Sequence, residues 1–304
     1  MAERTTYTHP ISLSQTDKLK ALLDERGFDF LKRPYTIFAA KKDKLNISVY
    51  EKGPKILVQG KGTEDFIVFI LEPEILGQAE TGYEEIVHPE QFEPHFGIDE
   101  SGKGDFFGPL VIAGFYTDQE VTSQLSKAGV MDSKKIGSDA RIRELADSIR
   151  SIPSAAYEVI LIAPPRYNEL YKKFNNLNRL LAWGHARTIE NLCARRPECR
   201  KAISDQFANP RVLQSSLMER GKEIELVQRT KAESDPAVAA ASILAREAFV
   251  NWIDQKSQEL GLTLHKGASK QVVETGRILN NQRGVDSLEQ VSKRHFKTFE
   301  QVIS

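Results

Sequence analysis

Four acidic residues on three separate segments stand where chemistry explains them better than packing does. In "GIDESGKGDFFGP", 97 to 109, an apolar run ends in Asp99 and Glu100, and two adjacent carboxylates give a strand no packing advantage. In "AISDQFANP", 202 to 210, Asp205 stands where an apolar approach runs out. In "TKAESDPAVAAASILAREAF", 230 to 249, Glu233 and Asp235 precede a long run of small residues. Carboxylates gathered together repel unless a cation sits between them. Oxygen donors suit Mg²⁺ or Mn²⁺ rather than zinc. Such an ion, held by a few carboxylates, keeps waters and takes phosphate oxygens as its remaining ligands. Two of them about 4 Å apart activate a water and steady the leaving oxygen of a phosphodiester. Each acid also has a local reading. Asp235 before Pro236 makes a helix N-cap with proline at the first position, where Asn would serve nearly as well. Asp205 caps a turn ending at Asn209 and Pro210, and Glu233 is a solvated first-turn acid. Spacing alone does not bring the acids together in space.

A basic turn follows the first pair of acids directly. Ser101, Gly102, Lys103 and Gly104 put glycines where a backbone can approach a ligand closely. The backbone N–H groups of such a turn can face an oxygen-rich ligand. The same glycines also serve a tight turn needing positive φ. Lys134, in "GVMDSKK", sits just beyond a candidate Asp or Ser helix cap. His185 and His265 read as core or surface histidines, although "LHKGAS" around His265 suits a phosphate-facing loop.

The elements that must carry these residues alternate beyond Phe96. Strands are expected at 95–100, 107–117, 155–163, 200–206 and 223–229, and helices at 138–150, 176–196 and 235–260. That order predicts a mixed α/β sheet with helices packed on it. Ahead of it lies a smaller α+β layer. A helix runs from the Ser-rich "SLSQTDKLKALLDERG" to a stop at Gly27. Strands follow in "TIFAA", "LNISVYE" and "KILVQG". A second helix begins with Thr63 as N-cap and has Pro73 near its end. Between the two layers, residues 72 to 93 hold seven glutamates and no Lys or Arg, so 78–93 reads as an acidic linker. The first layer also holds "LKRPYTIFAAKKDK", with Lys32, Arg33, Lys41, Lys42 and Lys44 interleaved with Tyr35 and Phe38. This is either a solvated basic face or a phosphate-binding surface whose affinity falls with salt.

Composition narrows the field only slightly. The chain has 304 residues, with 42 basic and 42 acidic side chains. A neutral chain still accommodates a local basic face. Cys193 and Cys199 have no spacing suited to zinc and read as reduced thiols. The apolar run "FIVFIL" is far shorter than the roughly 20 residues that span a bilayer. A soluble, cytoplasmic monomer without protein partners is expected.

Taken together, "GIDESGKGDFFGP", "GVMDSKK", "DQFA" and "KAESDPAVAAASILAR" resemble the signatures of the type 2 ribonucleases H, and within them ribonuclease HIII. "GDFFGP", "DQFA" and "KAE" favour the HIII branch over ribonuclease HII. The resemblance implies a ribonuclease H-like mixed sheet flanked by helices at 94–304, the acidic linker at 78–93, and a small N-terminal α+β domain at 1–77. That domain resembles half of a TATA-binding protein and would grip the substrate. The resemblance also implies Asp99, Glu100, Asp205 and Glu233 as catalytic acids and metal ligands, with Asp235 as the runner-up for the fourth. Ser101, Gly102, Lys103, Gly104 and Lys134 would contact substrate, the glycine turn reading the 2′-hydroxyl with its main chain. The implied activity is hydrolysis of the RNA strand of an RNA·DNA hybrid with Mg²⁺ or Mn²⁺, two ions when substrate is bound. It leaves 5′-phosphate and 3′-hydroxyl ends. Two alternatives stay open: HII-like cleavage at single ribonucleotides in DNA, and a protein that binds nucleic acid without cutting it.

Overall fold

The computed structural model describes residues 5–77, 89–130 and 136–304. It divides into two compact units, 1–89 and 90–304.

The first unit is an antiparallel sheet of five strands in the order β1-β5-β4-β3-β2. These are β1 (Thr6–Pro10), β2 (Asp29–Leu31), β3 (Thr36–Lys42), β4 (Leu45–Tyr50) and β5 (Lys55–Gly60). β5 alternates as a half-buried strand does, and Ile47, Val49, Ile56 and Val58 are fully buried. Helix α1 (Leu13–Glu25) lies against that face through Leu19 and Leu23. Ser12 starts α1 with a capping box: its Oγ accepts from Gln15 N at 3.1 Å, and Gln15 Oε1 accepts from Ser12 N at 3.0 Å. Gly27, at φ 71°, stops it. The second helix departs from expectation. Thr63 is the first residue of α2 (Thr63–Phe66), not its cap; Gly62 takes that place in the left-handed region, and the Thr63 hydroxyl donates to Gly60 O at 2.7 Å. The chain then continues as a wide π-helical segment, Ile67–Leu76, with Pro73 inside it. Proline supplies no N–H for the usual ladder, and Gly77 N bonds back five residues to Glu72 O.

The second unit is a mixed sheet in the order β10-β9-β6-β7-β8. Its strands are β6 (His95–Ser101), β7 (Leu110–Thr117), β8 (Tyr157–Ile162), β9 (Lys201–Asp205) and β10 (Glu225–Arg229). β6 is antiparallel to β7 and parallel to β9, and β9 is parallel to β10. The helices are α3 (Gln119–Ala128), α4 (Asp139–Arg150), α5 (Pro164–Phe174), α6 (Leu177–Arg195), α7 (Pro210–Gln214), α8 (Pro236–Leu260), α9 (Lys270–Glu289, kinked at Gly284) and α10 (Lys297–Ile303). Successive side chains of a strand alternate between the two faces. Phe96, Ile98, Leu110 and Ile112 therefore pack beneath α6, while Val111, Ala113 and Phe115 pack beneath α8. The small residues of α8 let it lie very close to β6. A Cβ at Gly97 would stand 2.2 Å from the backbone of Ala237 and Val238.

Most of the expected linker, residues 78–88, lies outside the described residues. Among the described residues, no helix is long and apolar enough to cross a membrane.

Candidate active site

Parallel pairing brings the acids to one edge of the sheet. β6 and β9 are in register at Ile98 and Ser204, so Asp99 and Asp205 stand at the next step of neighbouring strands. β10 extends the edge, with Arg229 opposite Asp205. Four residues on, Glu233 lies in a short 3₁₀ turn, Ala232–Ser234. Ala232 N donates to Asp205 Oδ1 at 3.4 Å, which ties that turn to the end of β9.

Strand alternation separates the two neighbouring acids. Asp99 faces α8, where the Ser242 hydroxyl bonds its carboxyl group. Ile203 packs with Val238 of α8, so Asp205, two residues on, shares that face. Glu100 faces α6 instead, where His185 meets it. Asp99, Asp205 and the Glu233 turn thus line the same strand ends on one face, and Glu100 lies on the opposite face. Among the described residues, no three His, Cys, Asp or Glu side chains stand close enough together to hold a metal ion.

The electrostatics of the pair are asymmetric. Burial and then the neighbouring charge of Glu100 push Asp99 up to about 7. For Glu100, burial alone would raise the pKa. The His185 hydrogen bond and charge, followed by Lys103, outweigh it and bring Glu100 down to about 2. Lys103 Nζ lies 3.2 Å from Glu100 Oε1. A carboxyl group whose ionisation is opposed first by burial and then by a second carboxylate is one that a hard cation would relieve.

His185 is fully buried. Ser204 Oγ donates to Asp205 O at 3.1 Å, which leaves it to accept from His185 Nδ1 at 3.1 Å. Nε2 faces Glu100 Oε2 at 3.0 Å. The ring thus links the ends of β6 and β9. The sequence carried one signal for this. His185 falls four residues after Leu181 and four before Ile189 on an apolar helix face, where a buried polar ring needs partners.

Asp235 has structural partners. It is the N-cap of α8, its Oδ1 accepting from Ala237 N at 3.0 Å and Val238 N at 3.2 Å. It also bonds buried His95 Nε2 at 3.1 Å and meets Arg229 at 3.5 Å.

The glycine turn is held from a distance. Gly102 is at φ 84°, and a Cβ there would stand 2.2 Å from Pro109 O and 2.8 Å from the Phe249 ring. Gly104 has ordinary φ and open space around it. Behind the turn, Phe106 N donates to Gly267 O at 2.9 Å and Gly267 N to Asp105 Oδ1 at 2.6 Å. Lys293, fully buried, donates to Asp105 O at 2.8 Å and Gly108 O at 2.7 Å. Burial lowers its pKa to about 7. Nothing in the sequence marked Lys293.

The other expected contacts divide. Lys134 lies outside the described residues. His265 is half-buried, in the loop whose Gly267 secures the glycine turn. In the first unit, Phe38 belongs to the core and is no free ring for a ligand, whereas Tyr35 is 83% exposed. Arg33 is turned onto Ser48 and Asn46, and Lys42 onto Arg26 O.

Comparison with known proteins bears on this arrangement. The family model described as ribonuclease HII matches residues 96–299, and a domain of unknown function matches residues 10–76. Ribonuclease HIII of Chlamydia felis is 45% identical over 300 residues, covering 98% of this chain and 97% of its own length. Ribonuclease HIII of Protochlamydia amoebophila is 42% identical over 303 residues, covering 100% and 98%. The crystal structure of Bst-RNase HIII in complex with Mn²⁺ superimposes with TM-score 0.66 at 28% identity over 98% of both chains. Aquifex aeolicus RNase H3 does so with TM-score 0.54 at 29% identity, over 94% of this chain and 98% of its own. With relatives this similar over nearly its whole length, the chain belongs to the ribonuclease HIII family.

Proposed function

We propose that the chain is an endonuclease that hydrolyses the RNA strand of RNA·DNA hybrids, leaving 5′-phosphate and 3′-hydroxyl ends. The observation that carries this reading is the parallel pairing of β6 and β9, which sets Asp99 beside Asp205 at the sheet edge. Asp99, Glu100, Asp205 and Glu233 would hold Mg²⁺ or Mn²⁺, two ions with substrate bound. The all-oxygen donor set and the suppressed ionisation of Asp99 fit a hard cation that draws remaining ligands from water and phosphate. When bound, such ions activate a water and steady the leaving oxygen.

The chain's own residues do the rest. His185 holds Glu100 from behind and joins it to the Ser204 end of β9. Lys103 supplies positive charge beside Glu100. Ser101 to Gly104 lie directly after the acids, and the backbone of Gly104 is free to touch a sugar. RNA differs from DNA by its 2′-hydroxyl, so this contact would supply the discrimination. Lys134 would meet a phosphate, and the basic segment at 32–44 in the first unit would hold the hybrid by its backbone.

The test is cleavage of an end-labelled hybrid and of a DNA duplex with one ribonucleotide, each with Mg²⁺ and with Mn²⁺. Cutting at many positions in the hybrid supports this reading. Cutting only at the single ribonucleotide replaces it with the HII-like activity, and binding without cutting refutes catalysis.

A further inference from the structure

We infer that a basic groove between α6 and α7 binds the sugar-phosphate backbone of the nucleic acid beyond the scissile phosphate. The groove has a volume of about 470 Å³, and its lining includes Phe174, Arg179, Trp183, Arg211, Ser215 and Ser216. The inference extends the hybrid-nuclease reading and rests on it.

Charge segregation is the first argument. From Leu170 to Ile189 the chain carries Lys172, Lys173, Arg179 and Arg187, with no Asp or Glu. From Gln206 to Met218 it carries Arg211 and again no acid. In a chain with equal numbers of acids and bases, these two stretches keep basic residues at the usual density and lack acids altogether. The second argument is availability. Arginines elsewhere in this unit are commonly tied to acids, as Arg143, Arg150, Arg195 and Arg220 are. Among the described residues, the guanidinium groups of Arg179 and Arg211 make neither an ion pair nor a hydrogen bond, and both residues are exposed. An exposed guanidinium fork with no internal partner suits bidentate contact with a phosphate.

Position is the third argument. Arg179 precedes His185 by six residues, about 9 Å along the helix axis, and His185 touches Glu100. Arg211 follows Asp205 by six residues. One wall of the groove is therefore the helix whose His185 holds Glu100, and the other follows the strand that carries Asp205, within reach of phosphates flanking the cut. Trp183 and Phe174, with ring centroids 6.2 Å apart, supply an apolar surface for sugars. An acidic peptide would share the charge complementarity, but it would have no reason to lie beside the carboxylate edge.

The experiment uses the full-length R179Q/R211Q variant and a labelled hybrid without divalent metal. Each phosphate contact contributes about 0.9 to the slope of log K against log salt. Loss of two contacts should lower the slope by about 1.8 and raise Kd about tenfold. With metal present, KM should rise by more than kcat falls, and R179K/R211K should recover part of the affinity. A variant of normal melting temperature with wild-type Kd and slope overturns the inference. As a second readout, Trp252→Phe leaves Trp183 as the lone indole. Hybrid should quench its emission, and an unchanged spectrum on saturation overturns the inference independently. Failure of the wild-type chain to bind or cut hybrid would instead refute the functional reading.

Discussion

The two glycines of the basic turn should separate folding from catalysis. Alanine at Gly102 must adopt φ 84°, which costs about 1–2 kcal/mol for an L-residue. Its Cβ also meets the Pro109 carbonyl and the Phe249 ring, and overpacking of this kind costs about 1–3 kcal/mol. The sum, about 2–5 kcal/mol, lowers Tm by about 4–20 °C in a unit of this size. Gly104 is the opposite case. Its φ is ordinary, and an added Cβ meets nothing within 4 Å. Alanine there should leave stability unchanged or raise it by about 0.4–1 kcal/mol through the unfolded chain. If the turn lies against the sugar, the methyl group displaces the strand by about an ångström, a misplacement that costs up to about 100-fold. Gly104→Ala should thus cut at least about tenfold more slowly, a loss of about 1.4 kcal/mol in transition-state binding. Single-turnover cleavage of labelled hybrid, with melting curves on the same samples, decides it. A Gly104→Ala enzyme that is stable and cuts at the wild-type rate refutes the sugar contact. Gly102→Ala reports first on the fold, because its left-handed φ and the crowding by Pro109 and Phe249 set it apart from Gly104.

Other substitutions test the remaining parts. Asp205→Asn keeps an oxygen for Ala232 N and removes a ligand charge, so cleavage should fall by orders of magnitude with Tm unchanged; near-normal turnover would sink the metal assignment. Glu233→Gln should do the same, whereas Asp235→Asn should still cut and melt close to wild type, because its amide oxygen keeps the cap on Ala237 N and Val238 N. A stable but inactive Asp235→Asn would transfer the fourth ligand to Asp235. His185→Ala should weaken Mn²⁺ binding, read by calorimetry, about 10–100-fold, as losses of supporting partners do, and unchanged affinity would remove its positioning role. Lys293 has a folded pKa near 7 against an unfolded value of 10.5, so between those values the unfolded chain binds the extra proton. Stability should therefore rise with pH across that window by up to about 1.4 kcal/mol per unit, and Lys293→Met should flatten the rise in urea titrations.

The sequence showed the carriers of the site more clearly than its geometry. Three helices, 139–150, 177–195 and 236–260, begin within a residue or so of their expected starts, since Ser138, Asn176 and Asp235 are strong caps. β1 and β2 were missed because "TYTHP" and "DFL" expose most of their residues and bury none fully. Asp99 and Glu100 were legible as chemistry because an apolar strand has no use for them. Their division between opposite faces follows from period-two geometry, yet it depends on which helix covers each face, a matter of topology. His185 and Lys293 were illegible as supports because their partners lie 85 and 188 residues away.

The clamp behind the glycine turn sets an order on biosynthesis. Asp99, Glu100, Asp205 and Glu233 are all made before Gly267, Val291 and Lys293. The turn beside the first two acids gains its last hydrogen bonds only from these late residues. A nascent chain thus carries every acid of the site while the loop that would face the sugar is still untied. The turn that would face the sugar is therefore tied only once residues 267 to 293 are in place.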